Sequence, residues 1–326
     1  MALLLTEADV RAILTLPMAM ELTEESFRRL ASGSGVSHPR RRLKLAEKGL
    51  MHYMAAADSE GGYVGLKIYT VSPSGLRFLV PLFSGHTGEL VALIEANRLG
   101  QARTGAATGV ATKFLAREDA RVAAMIGSGF QAQTQLEAVA LARKLDLVRV
   151  YSRDAARREA FAKDMAAKIG VRVVAVGSAE EAVRGADIVT TMTNSTKPVL
   201  LGKWLERGTH VNAAGVNFAE KAEIDAETVE RADLIAADSV EQSKMEAGDL
   251  IQAFARDLKR WDEVREFSGI VAGKIPGRTN RDQITLFKSN GIAMEDVVVA
   301  GRVYELARER RMGREVPMFA ESSGGG

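Results

Sequence analysis

A glycine-rich loop lies between an apolar run and a helix-like segment in VAAMIGSGFQAQTQLEAV, residues 122–139. It fits the pattern G-x-G-x-x-A. Gly127 permits a tight turn, Gly129 lets the backbone approach a pyrophosphate, and Ala132 keeps the helix close to the strand. The helix N-terminus offers N–H groups and a positive dipole to phosphates. We therefore predict dinucleotide binding, with a purely structural turn as the alternative, at Gly127, Ser128, Gly129, Gln131 and Ala132.

Strand-like and helix-like segments alternate after this loop. VRVYS, VRVVAV, DIVTTMT, THVNAAG and ADLIAAD are separated by helical patterns such as AARREAFAKDMAAKI. This alternation predicts an α/β fold with a doubly wound parallel sheet of the Rossmann type. Ligands bind at the carboxyl edge of such sheets. We therefore expect cofactor contacts, or ordinary turn residues as the alternative, at Thr193, Asn194, Val211, Asn212, Ala213 and Ala214.

The end of the second strand of this series distinguishes between nicotinamide cofactors. An NAD enzyme usually has an acid there for the ribose 2′-hydroxyl. Here the strand is followed by Ser152 and Arg153, with Arg157 further on. Ser152 does not repel a 2′-phosphate, and an arginine pairs with one. Asp154 is the competing ribose acid, but we interpret it as a helix N-cap. The sequence favours NADPH over NADH.

The first hundred residues have a different pattern. LMHYMAAA, YVGLKIYTVS, LRFLVPLFS and LVALIEA are short β-like runs split by Gly, Pro and Ser, which predicts a mostly antiparallel sheet. Thr6 and Thr15 are expected to cap two helices before it. MEDVVVAGRVYELARERRMG predicts a last helix that returns to this lobe. We place one domain at residues 1–116 with 292–326, and the Rossmann domain at 117–291.

The composition excludes several classes of function. Cysteine is absent, which excludes disulfides and thiolate catalysis, and the four histidines lack metal-ligand spacing, so no metal is expected. The net charge is +2 with dispersed basic residues, so we expect no nucleic-acid partner. No apolar run is long enough for a bilayer and no signal peptide is apparent. A cytoplasmic location is the resulting expectation.

Several segments together resemble the ornithine cyclodeaminase/mu-crystallin family over nearly the whole chain. These are HPRRRLKL, the GLK at Gly65–Lys67, QARTGAATGVATKFLA at 101–116, IGSGFQAQ, GADIVTTMT at 185–193, HVNAAG at 210–215 and QITLFKSNGIAMED at 283–296. The resemblance implies a Rossmann domain plus a mixed β-sheet domain that binds substrate and forms a homodimer. The family includes ornithine cyclodeaminases, alanine dehydrogenases, ketimine and pyrroline-2-carboxylate reductases, and NADPH-binding crystallin relatives, so it fixes the fold better than the reaction.

The resemblance also implies a clamp for a substrate carboxylate, formed by paired cations. It assigns this clamp to Arg41, Lys67 and Arg103, with Arg40 and Arg42 as neighbours that compete with Arg41. A charge at Lys67, in an apolar strand, is costly without a partner. For Arg103 the alternative is a structural salt bridge to an acid such as Glu95.

Further contacts follow from the resemblance or from position in the predicted elements. Thr104, which we place at the start of a helix, is expected to cap it and to touch the cofactor. The KSNG turn, by resemblance, brings Ser289 to the nicotinamide and Asn290 to the substrate. His52 either faces the pocket or is a core histidine, and we favour the latter.

One position departs from the cyclodeaminases. Where their loop carries a catalytic Asp, this chain has Asn217, and a neutral amide does not take up a proton as a carboxylate does. Asn217 can still orient an amine or a water. We therefore expect an NADPH-dependent reductase of small α-imino acids, such as cyclic ketimines, or of α-keto acids, with Lys67, Arg103 and Asn217 at the reacting centre. The alternatives are an ornithine cyclodeaminase and a non-catalytic protein that binds NADPH and a carboxylate ligand.

Overall fold

The computed structural model describes residues 1–45, 49–72, 75–256 and 259–318. It divides into two compact units, Met1–Arg103 with the segment from Ile292, and Thr104–Gly291. The first division falls inside a continuous helix, Asn97–Leu115, whereas the boundary drawn from sequence at 116/117 follows that helix. A change of composition marks the end of the helix, whereas the packing of the backbone already divides the two units after Arg103.

The regular elements are listed here in chain order. The strands are β1 (Ala2–Leu5), β2 (Gly35–Ser37), β3 (Arg41–Lys44), β4 (Leu50–Asp58), β5 (Tyr63–Ser72), β6 (Gly75–Ser84), β7 (Leu90–Glu95), β8 (Val122–Ile126), β9 (Leu147–Tyr151), β10 (Arg172–Ala175), β11 (Ile188–Thr191), β12 (His210–Ala213), β13 (Leu234–Ala237), β14 (Val264–Glu266), β15 (Thr285–Lys288) and β16 (Arg314–Val316). The α-helices are α1 (Glu7–Ile13), α2 (Leu16–Ser32), α3 (Asn97–Leu115), α4 (Phe130–Ala142), α5 (Ala155–Ile169), α6 (Ala179–Val183), α7 (Ala226–Arg231), α8 (Val240–Glu246), α9 (Gly248–Phe254), α10 (Phe267–Val271) and α11 (Ala293–Glu309).

The first unit contains a mixed, largely antiparallel sheet. Its strand order is β16-β1-β7-β6-β5-β4-β2, with β3 paired to β4, and β1 and β7 are the parallel pair. Helices α2 and α11 pack together, and α11 packs on β4 and β5. Met54 and Lys67 are opposite each other across β4 and β5, and both are buried. A lysine is thereby placed on the covered face of the sheet.

The predicted caps of the first two helices are confirmed. Thr6 and Asp9 form a reciprocal capping box at α1, and Thr15 accepts a hydrogen bond from Met18 N at α2. Gly33 ends α2 with φ of +86°, in the left-handed region where glycine carries no Cβ penalty. These local signals fix where both helices begin and where the chain leaves α2 to enter β2.

The second unit is the predicted doubly wound sheet. Its order is β10-β9-β8-β11-β12-β15-β13-β14, and each pair is parallel. Alternate residues of β8 face opposite sides, since Ala123 and Met125 belong to one apolar cluster and Ala124 and Ile126 to another. The strand order reverses at β8, which is the switch point where such sheets bind ligands.

Close packing of α3 on α4 explains the run of small residues in GAATGVATKFLA. A Cβ on Gly105 would lie 2.5 Å from the carbonyl oxygen of Thr134, so only glycine allows the two helices to approach this closely. In the described part of the chain, no helix is both long enough and apolar enough to cross a membrane.

Candidate functional site

The glycine loop after β8 has the shape that a pyrophosphate requires. Gly127 has φ of +120°, and a Cβ there would overlap the carbonyl oxygen of Met192. A Cβ on Gly129 would meet no atom within 4 Å, so the backbone is open to a ligand at this point. Gly129 is also the N-cap of α4 and provides no side-chain hydrogen bond. Side chains do cap helices elsewhere in the chain, at Thr6, Thr15, Asp154, Ser178, Asp225 and Ser239. The loop therefore fits a bound dinucleotide.

The remaining loop residues hold this shape. Ala132, in the first turn of α4, is fully buried. Gln131 is half-buried, and its carbonyl accepts a hydrogen bond from the Thr134 hydroxyl at 3.2 Å. Ser128 donates to Ser152 Oγ at 2.8 Å, which joins the glycine loop to the end of β9. The two segments expected to contact the adenosine half of a dinucleotide are thus adjacent.

The end of β9 confirms the predicted role of Asp154 as a helix cap. Its carboxylate accepts a hydrogen bond from Arg157 N at 3.0 Å at the start of α5. The side chains of Arg153 and Arg157 are exposed, and Arg157 makes only a loose 3.5 Å pair with Asp154. Arg158 donates to the Ser152 carbonyl at 3.0 Å. An acid is present here, but it is engaged with the helix.

Asn212 does not present its side chain at the carboxyl edge of the sheet. It is buried in β12, where its amide donates to Thr112 Oγ1 at 3.2 Å and its Oδ1 pairs with His210 at 3.1 Å. His210 in turn pairs with Thr285 at 2.9 Å. Val211 and Ala213 are also fully buried. Side chains within a central strand point into the layers of helices. Of the cofactor contacts predicted for these three residues, only those made by backbone atoms are therefore compatible with the structure.

The residues that do lie at the edge follow the strands. Thr193 and Asn194 follow β11, and Ala214 follows β12; Thr193 and Ala214 are half-buried and Asn194 is exposed. The Thr193 hydroxyl donates to Glu223 at 2.6 Å, an acid that sequence reasoning did not single out. Asn217 lies further along the same loop as Ala214 and is half-buried.

Asp238, also absent from the sequence prediction, holds the KSNG turn. Its carboxylate accepts hydrogen bonds from the backbone N–H groups of Asn290 and Gly291 at 2.6 and 2.7 Å. The Asn290 amide donates to Asp238 at 3.1 Å and to Ser243 at 2.7 Å, and the Ser289 hydroxyl donates weakly to Asp238 at 3.4 Å. Burial raises the pKa of Asp238. Ser289 and Asn290 are thereby fixed at the end of β15.

In the first unit, two cations and two acids meet inside the fold. Lys67 Nζ lies 2.8 Å from Asp296 Oδ1, and Arg103 Nε lies 3.1 Å from the same oxygen. Arg103 Nη1 also pairs with Glu295 at 2.8 Å. Each of these side chains is at most 6% exposed, so the charges interact with little screening by solvent. The structure therefore brings Lys67 and Arg103 together at one carboxylate oxygen of the protein.

The acids that pair with these cations were not predicted. Glu95, the alternative partner proposed for Arg103, instead accepts a hydrogen bond from Glu7 N at 2.8 Å. Glu295 and Asp296 lie in the AMED segment at the start of α11, which was noted only as part of a motif. Consecutive acids directly before the apolar run VVVAG were the available signal, because buried carboxylates are rare unless paired.

Burial lowers the pKa of Lys67 to about 8. The neighbouring Arg103 charge lowers it further and Asp296 opposes the shift. The ammonium ion lies 5.5 Å from the centre of the Phe78 ring. A lysine with this pKa is mostly protonated at neutral pH, yet it gives up its proton far more readily than an exposed lysine does.

The structure favours Arg40 over Arg41 as the third cation. The Arg41 side chain is exposed on β3, opposite Tyr53. Arg40 is only 4% exposed, and its charge contributes to the lowered pKa of Lys67. Sequence position alone could not distinguish Arg40 from Arg41. Arg40 lies just before β3, where side chains do not yet alternate between the two faces of the sheet.

His52 lies in the core of the first unit, as we favoured. It is 1% exposed and stacks on Tyr69 with ring centres 4.4 Å apart. Burial, followed by the charges of Arg42 and Arg40, lowers its pKa to about 4. His52 is therefore neutral at physiological pH and takes no charge near the cations.

The prediction that Thr104 caps a helix is wrong. Helix α3 begins at Asn97, so Thr104 lies well inside it, where its carbonyl accepts a hydrogen bond from Gln135 Nε2 at 3.0 Å. Gly100 lies in the first turn of this helix. A Cβ at that glycine would lie 3.1 Å from Lys67 Nζ, so this glycine leaves room for the ammonium ion.

Within the described ranges, no group of three or more His, Cys, Asp or Glu side chains is placed to hold a metal ion. A sequence model of the ornithine cyclodeaminase/mu-crystallin family matches residues 1–311. Lys67, Arg103 and the glycine loop all fall inside the matched region.

Three solved structures share the fold over almost their full length. Δ1-pyrroline-2-carboxylate reductase of Thermococcus litoralis, in complex with NADH and L-proline, is 34% identical with a TM-score of 0.92, covering 96% of this chain and 100% of that one. An archaeal alanine dehydrogenase dimer with bound NAD is 34% identical with a TM-score of 0.92, covering 98% and 99%. Iminosuccinate reductase of Paracoccus denitrificans, in complex with NAD+, is 30% identical with a TM-score of 0.91, covering 97% and 99%.

Proposed function

Since the chain belongs to the ornithine cyclodeaminase/mu-crystallin family, we propose that it reduces small α-imino or α-keto acids to amino acids with NADPH. The class is that of its relatives, which are NAD(P)-dependent oxidoreductases acting on carbon–nitrogen bonds. The reduction of an imine such as pyrroline-2-carboxylate and the preference for NADPH are the specific parts of the proposal.

The observation that carries the proposal is the buried cluster of Arg40, Lys67 and Arg103. Glu295 and Asp296 pair with Arg103 and Lys67 inside this cluster, and each of the five side chains is almost completely buried. Arginine and lysine side chains gathered in a site with little water bind a carboxylate through charge-assisted hydrogen bonds. Substrates of the proposed class all carry one next to the reacting carbon.

Each cation has a distinct role in the proposal. Arg40 and Arg103 hold the substrate carboxylate, and Lys67 donates a hydrogen bond or a proton to the imine nitrogen or the keto oxygen. Lys67 suits this role because its pKa is about 8. Asn217 orients the substrate amine or a water by hydrogen bonding. A bound nicotinamide supplies the hydride, and the protein contributes orientation and electrostatics.

The preference for NADPH rests on the end of β9. Ser152 leaves room for a 2′-phosphate, and the exposed guanidinium groups of Arg153 and Arg157 are suited to pair with it. Asp154 is engaged as the N-cap of α5, which reduces its availability to a ribose hydroxyl. Related structures hold NADH or NAD+, so this is where the chain is proposed to depart from them.

We also propose that this chain forms a homodimer and that it is located in the cytoplasm. The face of the first sheet that points away from α11 carries exposed apolar side chains, among them Val64 at 40% and Leu79 at 36%. Exposed apolar patches of this kind mark association surfaces. The archaeal alanine dehydrogenase relative is a dimer, and a second copy of this chain is the proposed partner.

The test is absorbance at the NADPH band. Purified protein is mixed with NADPH and pyrroline-2-carboxylate, or with pyruvate plus methylamine or ammonia, and the same substrates are tried with NADH. A steady decrease that is faster with NADPH supports the proposal. Conversion of ornithine to proline with only trace NAD would instead support a cyclodeaminase, and tight NADPH binding with no turnover would support a binding protein.

A further inference from the structure

A buried charge network in the second unit joins three strand ends. Glu223, Asp249 and Lys288 are each at most 1% exposed. Lys288 Nζ lies 2.6 Å from Asp249 Oδ2, and Asp249 Oδ1 accepts a hydrogen bond from Glu223 N at 2.6 Å. The roles proposed above for catalysis and for cofactor choice do not use these residues.

The Glu223 carboxylate is saturated by donors from two neighbouring strand ends. One oxygen accepts hydrogen bonds from Thr193 N and Thr193 Oγ1, both at 2.6 Å. The other accepts from Gly215 N at 2.7 Å and from Thr191 Oγ1 at 3.1 Å. Since β11 and β12 are adjacent in the sheet, a single side chain fixes the loops that leave both strands.

Lys288 holds the same loop from its other side. Its ammonium donates to the Val216 carbonyl oxygen at 2.6 Å, directly after the residue that Glu223 binds. Gly215 has no room for a side chain, because a Cβ would lie 2.5 Å from both Glu223 oxygens. The loop that leads to Asn217 is therefore clamped at two consecutive residues.

Two backbone N–H groups and two hydroxyls around Glu223 favour its ionised form. Burial and the Asp249 charge raise the pKa of this carboxyl, while Lys288 and the hydrogen bonds from Thr193 oppose the shift. Burial of a carboxylate costs free energy. A residue that only caps a helix does not need to be buried so deeply, so we expect Glu223 to have another role.

We propose that Glu223 is a positioning residue, which together with Asp249 and Lys288 sets the loops at the ends of β11 and β12 that receive the nicotinamide end of the cofactor. This rests on the proposed function, because it assumes that a nicotinamide dinucleotide binds at the carboxyl edge of this sheet. The glycine loop after β8, which receives the adenosine end, makes no contact with Glu223 among the hydrogen bonds described above.

The two ends of the cofactor can be probed separately. Adenosine 2′,5′-bisphosphate reproduces the adenosine end of NADPH and lacks the nicotinamide. In Glu223→Gln one acceptor oxygen becomes an NH2 group, which is itself a hydrogen-bond donor. The backbone N–H group that bound this oxygen then loses its acceptor and remains buried without one. We expect the dissociation constant for NADPH to rise about 10- to 100-fold, while that for the bisphosphate changes less than about twofold.

Asp187→Asn is the matched control. Asp187 also accepts backbone hydrogen bonds in this sheet, from Arg121 N at 2.7 Å and Val122 N at 2.9 Å, but at the amino ends of β8 and β11. It is expected to lower the melting temperature and to leave the ratio of the two dissociation constants at its wild-type value. A purely structural role for Glu223 would give the same pattern as this control.

Calorimetry measures both dissociation constants, and thermal melting reports the stability of each variant. Equal weakening of both ligands in Glu223→Gln, or no weakening of either, would overturn this inference and leave the proposed function intact. Wild-type protein that binds no nicotinamide dinucleotide would overturn the proposed function instead. If Glu223→Gln does not fold, Thr191→Val removes one donor to Glu223 at a residue that is not predicted to contact the cofactor, and the same selective loss, about threefold, is expected.

Discussion

The two units contain buried charge clusters of opposite construction. In the first unit, Lys67 and Arg103 meet Glu295 and Asp296 through side chains alone. In the second, Glu223 and Asp249 outnumber Lys288, and most of their partners are backbone N–H groups and hydroxyls. The first cluster thus pairs two cations with two acids, whereas the second sets one cation against two acids.

The difference indicates that the two clusters have different functions. Cations that are held by side chains alone can exchange those partners for a further anion and can give up a proton. Carboxylates saturated by backbone donors hold those donors in place and accept nothing further. We therefore expect substitutions in the first cluster to change chemistry, and substitutions in the second to change stability or the shape of loops.

Replacement of each buried lysine by methionine should give the clearest test of the difference between the two clusters. Lys67→Met should fold, because Asp296 keeps Arg103 as a partner at 3.1 Å, yet lose about 1,000-fold in kcat through the missing acid. Lys288→Met leaves Asp249 buried without its cation and should lose about 3–5 kcal/mol of unfolding free energy. Steady-state kinetics, NADPH binding and urea denaturation measure these effects, and a fully active Lys67→Met would refute the role of Lys67.

The pH dependence of reduction sharpens the assignment of the proton donor. A lysine acid is charged below its pKa, so activity should fall as pH rises through about 8. Asp296 raises the pKa of Lys67, so Asp296→Asn should move this alkaline limb to lower pH and reduce kcat/KM about tenfold at pH near 8. Glu295→Gln is the control, since Glu295 pairs with Arg103. An alkaline limb that stays in place in Asp296→Asn would contradict the assignment.

The choice between Arg40 and Arg41 tests whether burial identifies the third cation. Arg40→Met should raise KM for the carboxylate substrate about 10- to 30-fold, because a charged contact in a poorly hydrated site is lost. Arg41→Met, next to it and exposed, should change KM less than about twofold. Initial-rate measurements give both KM values. A larger rise in KM for Arg41→Met than for Arg40→Met would identify Arg41, the residue that the family resemblance indicated, as the third cation.

The smallest expected effect concerns the cofactor. Ser152→Asp places a negative charge where a 2′-phosphate is proposed to bind and should lower the preference for NADPH over NADH about tenfold. Asp154→Ser keeps a helix cap and should leave that preference nearly unchanged. A selective loss of NADH binding in Asp154→Ser would show that Asp154 is the ribose acid after all.

The sequence predicts those parts of the molecule whose signals are local. The glycine loop, the alternation after it and the caps at Thr6, Thr15 and Asp154 each depend on a few neighbouring residues, and the structure contains all of them. The family to which the chain belongs could also be identified, because its motifs occur in order along the chain.

The charge clusters depend on residues far apart in the sequence. Lys67 and Asp296 are separated by 229 positions and Glu223 and Asp249 by 26, so no local pattern pairs them. Asn212 shows a second limit, because its position at a strand end indicates a ligand contact, whereas its side chain completes a buried hydrogen-bond network. The direction in which a side chain points depends on the neighbouring layers.

Hydride transfer to the α-carbon is the step that the account places in this protein, and isotope labelling observes it directly. NADPH deuterated at either face of nicotinamide C4 is incubated separately with the protein and pyrroline-2-carboxylate, or pyruvate with methylamine, and the product is analysed by mass spectrometry. The account predicts one deuterium on the α-carbon of an amino acid product, from only one of the two labelled cofactors. Products without deuterium, or proline formed from ornithine in the presence of only trace cofactor, would contradict it.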